Sequence, residues 1–552
     1  MPKENHIDLI INTKFANLFP SNNITVINQQ YAVLHEPIET LHKCILGDQP
    51  YTIFPHIFTL NSTFSLEKSN VPYFQYNSNF NLFGQGVLLG FVDTGIEYQH
   101  PAFLNQDGTT RIYSIWDQTL QFDNHPQPFS FGTEYKKADI NLALRHPTPL
   151  SIVPTQDENG HGTMLAGIAV GSPNASEEFS GIATNAELVI VKLRQANKNN
   201  RDVFCVRDDI DCFLESDIMM GIEYIHSISI QLNRPLVLCI GLGSSQGEHN
   251  GESSFPAYLN ALAATPEVAI CIAAGNKGAA GRHYQGKITT LNDTATLELR
   301  VGPKDKDFFF ELWNFSPTRL AISMNSPSGE TTQPIYPRLQ RCEEFNFLFE
   351  SSVLFVNNFI LEEESGLQLI LVRFQNAIEG LWSINVVSMD RKPTLFDIWL
   401  PAGPIISQDT RFLKSTLETT ITNPGNTKNP LVVSAYDQFQ DSILMQSSRG
   451  FSTSNSIVPD LASPGFQLTC PLPNGLYGTA TGTGAAAAHA SGILAMVMEW
   501  AILHGNYTTM TGKDITRLMI NGAKQSSAYT YPNTSWGYGQ IDIMGFFNHL
   551  KF

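Results

Sequence analysis

A unit of continuous apolar run, glycine-containing turn and helical stretch recurs along this chain. The run Val87-Leu88-Leu89-Gly90-Phe91-Val92 shows no polar alternation. Such a strand is stable only when both of its faces are covered, as in a parallel sheet flanked by helices. Similar runs recur at 188–191, 236–240 and 268–273, with helical stretches at 162–170 and 216–232. The alternation predicts an α/β fold built on a doubly wound parallel sheet.

On either side of this core the texture differs. Residues 1–75 read as a separate N-terminal segment, with strand-like pieces at 6–13 and 31–35 and a helical interval at 38–46. An Asn/Ser-rich exit follows at 61–79. Between about 285 and 411 short alternating or aromatic strands dominate, at 295–301, 308–313, 320–324, 367–374, 381–387 and 394–400. Turn signals such as Pro327-Ser328-Gly329 separate them, which predicts an inserted all-β sandwich or jelly roll. From 429 the α/β texture returns, with a strand at 431–435 and a long apolar helix over 484–504. The expected division is therefore 1–75, then 76–285 together with 411–552, and an insert over 286–410.

Composition narrows the classes. With 42% apolar and 15% charged residues among 552, the chain has the makings of a large core, not of a disordered segment. A net charge of −17 from scattered carboxylates disfavours nucleic acid and anionic membrane as partners. The start, Met1-Pro2-Lys3-Glu4-Asn5-His6, has no secretory pattern, and the apolar run 492–503 is short for a span and holds Glu499. The reading is a soluble protein not exported by the general route. Seven cysteines without a CxxC pair predict buried reduced thiols, and neither a metal nor a cofactor.

Three short segments carry chemistry. Asp93 ends the first apolar run, where α/β folds place functional groups. His161 stands between two glycines just ahead of a helix, in Asn159-Gly160-His161-Gly162-Thr163. Gly482-Thr483-Gly484 opens a helix of small residues. Each is weak alone, but their order, with Ala273-Ala274-Gly275-Asn276 between, is very specific.

On these residues the chain resembles the subtilase family of serine proteases, whose triad runs Asp, His, Ser. The resemblance implies that Asp93 orients the imidazole, His161 is the general base and Asn276 donates to the oxyanion. It implies that Gly241, Leu242, Gly243 and Ser244 line the substrate groove. Pro459-Asp460-Leu461-Ala462-Ser463-Pro464-Gly465 and Trp536-Gly537-Tyr538-Gly539 match two further landmarks. The departure is Gly484, where the family carries the nucleophilic serine. Glycine has no Oγ, so the triad is degenerate, and Thr483 is expected to aim its side chain elsewhere. Asn276 and Gly484 are 208 residues apart, against about 65 in subtilisin, which locates the insertion between them.

A short prodomain, a β insert at this place and no secretion signal resemble the Csp group of clostridial spores. That resemblance implies an inactive pseudoprotease of the CspA or CspC type, placed in the spore and regulating germination. Its implied partners are a related active Csp protease or other germination proteins, or a small germinant. Without a nucleophile the prodomain is expected to stay attached, with its end (65–79) in the groove like a bound product. Two other readings stay open: a weak peptidase using Asp93, His161 and Asn276 without serine, and an Asp93–His161 pair kept only for stability.

Overall fold

The computed structural model describes residues 6–38, 45–47, 49–60, 71–76, 80–289, 294–315, 317–339, 342–390 and 392–550. The apolar runs form the centre of a nine-stranded sheet. Across it, Leu431–Asp437, Val268–Ala273, Leu236–Ile240, Leu88–Asp93, Glu187–Lys192 and Ile112–Asp117 lie parallel. Short antiparallel strands, Ser442–Ile443 and Thr133–Lys136, close its two edges, and Leu461–Pro464 adds a further parallel pairing to Leu431–Asp437.

Helices cover both faces, which is why the central strands are apolar throughout. On one face His161–Val170 and Thr483–Met498 pack together over Leu89, Phe91, Val237 and Cys271. On the other, Glu215–Leu232 turns Ile218, Ile222 and Ile225 inward at helical spacing. It stops at Asn233 in the left-handed region (φ 50°). The apolar helix predicted at 484–504 runs over Thr483–Leu503, long and apolar enough to cross a membrane. It lies instead in the core, with 83% of its most apolar window buried.

The insert is all-β, as the turn-punctuated strands required. One antiparallel sheet has the order His283–Ile288, Thr394–Trp399, Phe308–Asn314, Gln368–Gln375, Val353–Phe359, Cys342–Asn346. The second runs Leu320–Asn325, Gly380–Ser388, Thr294–Val301, Arg411–Phe412. Phe308, Phe310, Phe374 and Trp382 fill the space between them, Phe308 stacking on Phe374 at 4.3 Å. The same core takes in Ile7, Tyr51, Phe54 and Ile57, so the N-terminal segment and the insert share one apolar interior.

The N-terminal segment contributes a three-stranded sheet, His6–Asn12, Tyr31–Pro37 and Ile24–Val26. Most of the helix expected at 38–46 lies outside the described residues, and Ile45–Gly47 is a single tight turn. Cys342 corrects the expectation of reduced thiols, because it is disulfide-bonded. Cys205, Cys212, Cys239, Cys271 and Cys470 form no disulfide.

Candidate active site

Asp93 is the last residue of the central strand Leu88–Asp93, so the sheet delivers its carboxylate to the carboxyl edge. His161 begins the facing helix, behind Gly160 at φ +86°. The helix can approach because residue 162 is glycine: a Cβ there would stand 2.1 Å from the Gly95 carbonyl oxygen. His161 Nδ1 lies 2.7 Å from Asp93 Oδ1, which also accepts from the Thr94 N–H at 2.8 Å. Both side chains are buried.

Asp157, a residue the motifs did not single out, fixes this geometry. Its Oδ1 accepts from Thr94 Oγ1 (2.7 Å) and Gly160 N (2.8 Å), and its Oδ2 from Thr163 N (2.8 Å) and Oγ1 (2.6 Å). It therefore ties the Asp93 loop to the first turn of the His161 helix. The only sequence signal was an acid four residues ahead of a Gly-His-Gly helix start. Asp157→Ala leaves four donors without their acceptor and is expected to cost about 3 kcal/mol of stability. Thermal melting checks this, and a variant that melts with the native chain would contradict it.

On the third side, Thr483 opens the helix Thr483–Met498. Its N–H and hydroxyl both point to Asn276 Oδ1, at 3.1 and 3.2 Å, and its Oγ1 accepts from Gly275 N at 3.0 Å. The hydroxyl is thus committed to Asn276. With Oδ1 so held, the Asn276 amide nitrogen is the end left to donate. Gly484 follows in the same first turn and offers only backbone. His161 Nε2, the nitrogen that engages the serine in a triad, is buried without a hydrogen-bond partner among the described residues.

The strand expected to wall the groove already has a partner. Leu242–Gly243 pairs antiparallel with the N-terminal strand Ile57–Leu60, Leu242 against Leu60 and Gly243 against Thr59. The other edge of Ile57–Leu60 pairs with Phe213–Leu214. Phe58 packs edge-on against Phe255 at 5.6 Å. Gly241 lies at the base, where a Cβ would come 3.4 Å from His161 Cε1. Ser244 turns away, its N–H on the Asn423 carbonyl oxygen at 2.9 Å. The described residues that lie along this strand are Ile57–Leu60, ahead of the expected 65–79. Of that range, Val71–Tyr76 is a helix whose Phe74 stacks on Phe547 at 4.7 Å, and 65–70 and 77–79 lie outside the described residues.

Beside Asn276 an open cleft of about 950 Å³ is lined by Lys277, Arg207, Lys304 and Arg411. Desolvation and, after it, the Arg282 charge push the Lys277 ammonium below its usual range.

Comparison with known proteins agrees with this arrangement. The family described as Peptidase_S8, the subtilase family, matches residues 84–299 and 409–539, leaving out most of the insert and the N-terminal segment. The solved structure of the Clostridium perfringens CspB protease superposes with a TM-score of 0.77 at 29% identity, over 87% of this chain and 98% of that one. Subtilisin-like protease SBT2.2 of Arabidopsis thaliana is 30% identical over 109 residues, 18% of this chain. This chain spans only 12% of that relative's length. With its sheet, its Asp–His pair and Asn276 in the family's order, the chain belongs to the subtilase family.

Proposed function

We propose that this chain is a catalytically inactive subtilase that acts by binding, as a regulator of spore germination. One observation carries the reading: Gly484 stands at the position of the nucleophile, and His161 Nε2 has no hydrogen-bond partner among the described residues. Acyl transfer needs an Oγ or Sγ that the base can deprotonate, and Thr483 spends its hydroxyl on Asn276. The filled groove points the same way, since Ile57–Leu60 holds the place of a substrate strand.

The likeness to the CspB protease supports a place in the same system, with a related active Csp protease or another germination protein as partner and the spore as location. A small germinant is the other candidate ligand. The cleft beside Asn276 suits an anionic one, because it gathers basic side chains on a chain of net charge −17.

The rival reading, a weak peptidase that activates water at Asp93, His161 and Asn276, draws on the intact Asp93–His161 hydrogen bond. It requires Ile57–Leu60 to leave the groove. That strand is anchored by residues of the insert's core, Ile57 among them. The N-terminal segment, residues 1–75, is therefore expected to stay attached, and the purified chain to run as one intact band of 61.2 kDa. Release of an N-terminal fragment by the isolated native chain would contradict this reading.

A further inference from the structure

Away from the groove, one cluster gathers side chains of the kinds that ligate metals. His6 and Asp8 stand two apart on the strand His6–Asn12, so both project from the same face. His35 lies directly opposite Asp8 in the antiparallel pairing and joins them on that face. His35 Nδ1 is 2.5 Å and His6 Nε2 3.2 Å from one oxygen, Asp8 Oδ1. One ligand atom from each residue falls within 4.8 Å of the other two. Ligands about 2.0–2.2 Å from a tetrahedral zinc ion stand a little over 3 Å apart, so His35 must draw back from Asp8 to admit one.

The surroundings prepare these groups for a cation. Asp8 is fully buried, and its Oδ1 faces both imidazoles. Its second oxygen is held by Asn197 Nδ2 at 3.3 Å and Arg194 at 3.5 Å. Arg194 is itself paired with Asp217 at 2.8 Å, so two carboxylates face one guanidinium. Thr25 Oγ1 lies 2.8 Å from His35 Nε2, which leaves Nδ1 to face inward as an outer-shell partner does in metal sites. A cavity of about 340 Å³, lined by His6, His35, Asn22, Thr25 and Arg194, adjoins the cluster and has room for a water ligand.

We propose that His6, Asp8 and His35 bind one divalent transition-metal ion of the zinc type, with water in the fourth position. Two imidazoles and one carboxylate favour such an ion over calcium or magnesium, which take oxygen ligands. The ion would join two strands of the N-terminal sheet and hold Asp8 where it meets Arg194 and Asn197 of the α/β part.

The test uses the full, untagged chain stripped by chelator and titrated with Co²⁺, then Zn²⁺. The expected result is one ion per chain, with the visible absorption of four-coordinate Co²⁺, lost as Zn²⁺ displaces it. His6→Ala and His35→Ala are expected to abolish that spectrum, and Thr25→Ala to weaken binding about 10–100-fold at unchanged stoichiometry. A folded native chain that gives no such spectrum and takes up no Zn²⁺ overturns the proposal. So does a spectrum that survives in both histidine variants. If a histidine variant fails to fold, the native chain's own cobalt spectrum decides.

Discussion

Gly484→Ser is expected to turn this chain into one that cuts itself. The new hydroxyl would stand in the first turn of the helix Thr483–Met498, one residue beyond the Thr483 that is bonded to Asn276. His161, already oriented by Asp93 at 2.7 Å, supplies the base, and the Asn276 amide the oxyanion donor. A substrate is present as well, because Ile57–Leu60 lies antiparallel along Leu242–Gly243. Loss of the serine costs subtilisin about 10⁶ in turnover, which corresponds to about 8 kcal/mol of barrier. A large part of that factor should return with one side chain. The readout is release of an N-terminal fragment cut just beyond Leu60, together with labelling by a fluorophosphonate, both lost again in Gly484→Ser with His161→Ala. A revertant that folds but neither cuts nor labels would show that more than the nucleophile is missing.

The second large effect concerns pH. Where the N-terminal segment, the α/β part and the insert meet, Glu215, Glu248, Glu311 and Glu362 are buried with His56 and Tyr51, and Glu364 stands at the edge. Glu311 is satisfied by Tyr51 Oη (2.5 Å), Gly247 N (2.9 Å) and Trp313 Nε1 (3.1 Å). Glu215 and Glu248 are poorer in donors, and desolvation pushes both from 4.5 up to about 7, Glu248 also through repulsion from Glu362 and Glu364. Raised acids bind more protons folded than unfolded between pH 4.5 and 7. The stability these two permit is therefore complete below that window and falls as pH rises through it.

Buried histidines act the other way. His249, lowered from 6.5 to about 4 by desolvation first, and His56, lowered by the same cause, favour the folded chain as pH rises. A comparison of variants separates the two effects. Glu215→Gln and Glu248→Gln should each melt with the native chain at pH 5. At pH 8 each should be more stable by on the order of 3 kcal/mol. Calorimetry at the two pH values checks this, and variants no more stable at pH 8 than at pH 5, relative to the native chain, would contradict it.

What could be read in the sequence was whatever local patterning dictates. The apolar runs gave the central strands, and the helix expected at 162–170 is observed as His161–Val170. The aromatic, turn-rich stretch became the two antiparallel sheets. The strands Cys342–Asn346 and Val353–Phe359 escaped notice, the former because it is an edge strand whose half-exposed residues lack clean alternation. The position of Ile57–Leu60 was illegible for another reason: its register is set by partners about 155 to 185 positions away along the chain, at Phe213–Leu214 and Leu242–Gly243. The same holds for the glutamate junction and for His35 opposite Asp8. In each, separate elements bring together residues that show no motif in line. Asp93, His161, Asn276 and Gly484 were legible because each sits in its own short glycine-rich motif.

Whether Gly484 leaves a binding protein in the frame of a protease is decided by peptide turnover. The native chain, incubated with a fluorogenic peptide library beside His161→Ala, is expected to match it at the rate of buffer alone. Hydrolysis by the native chain that disappears in His161→Ala would contradict the claim and establish a peptidase that works without serine.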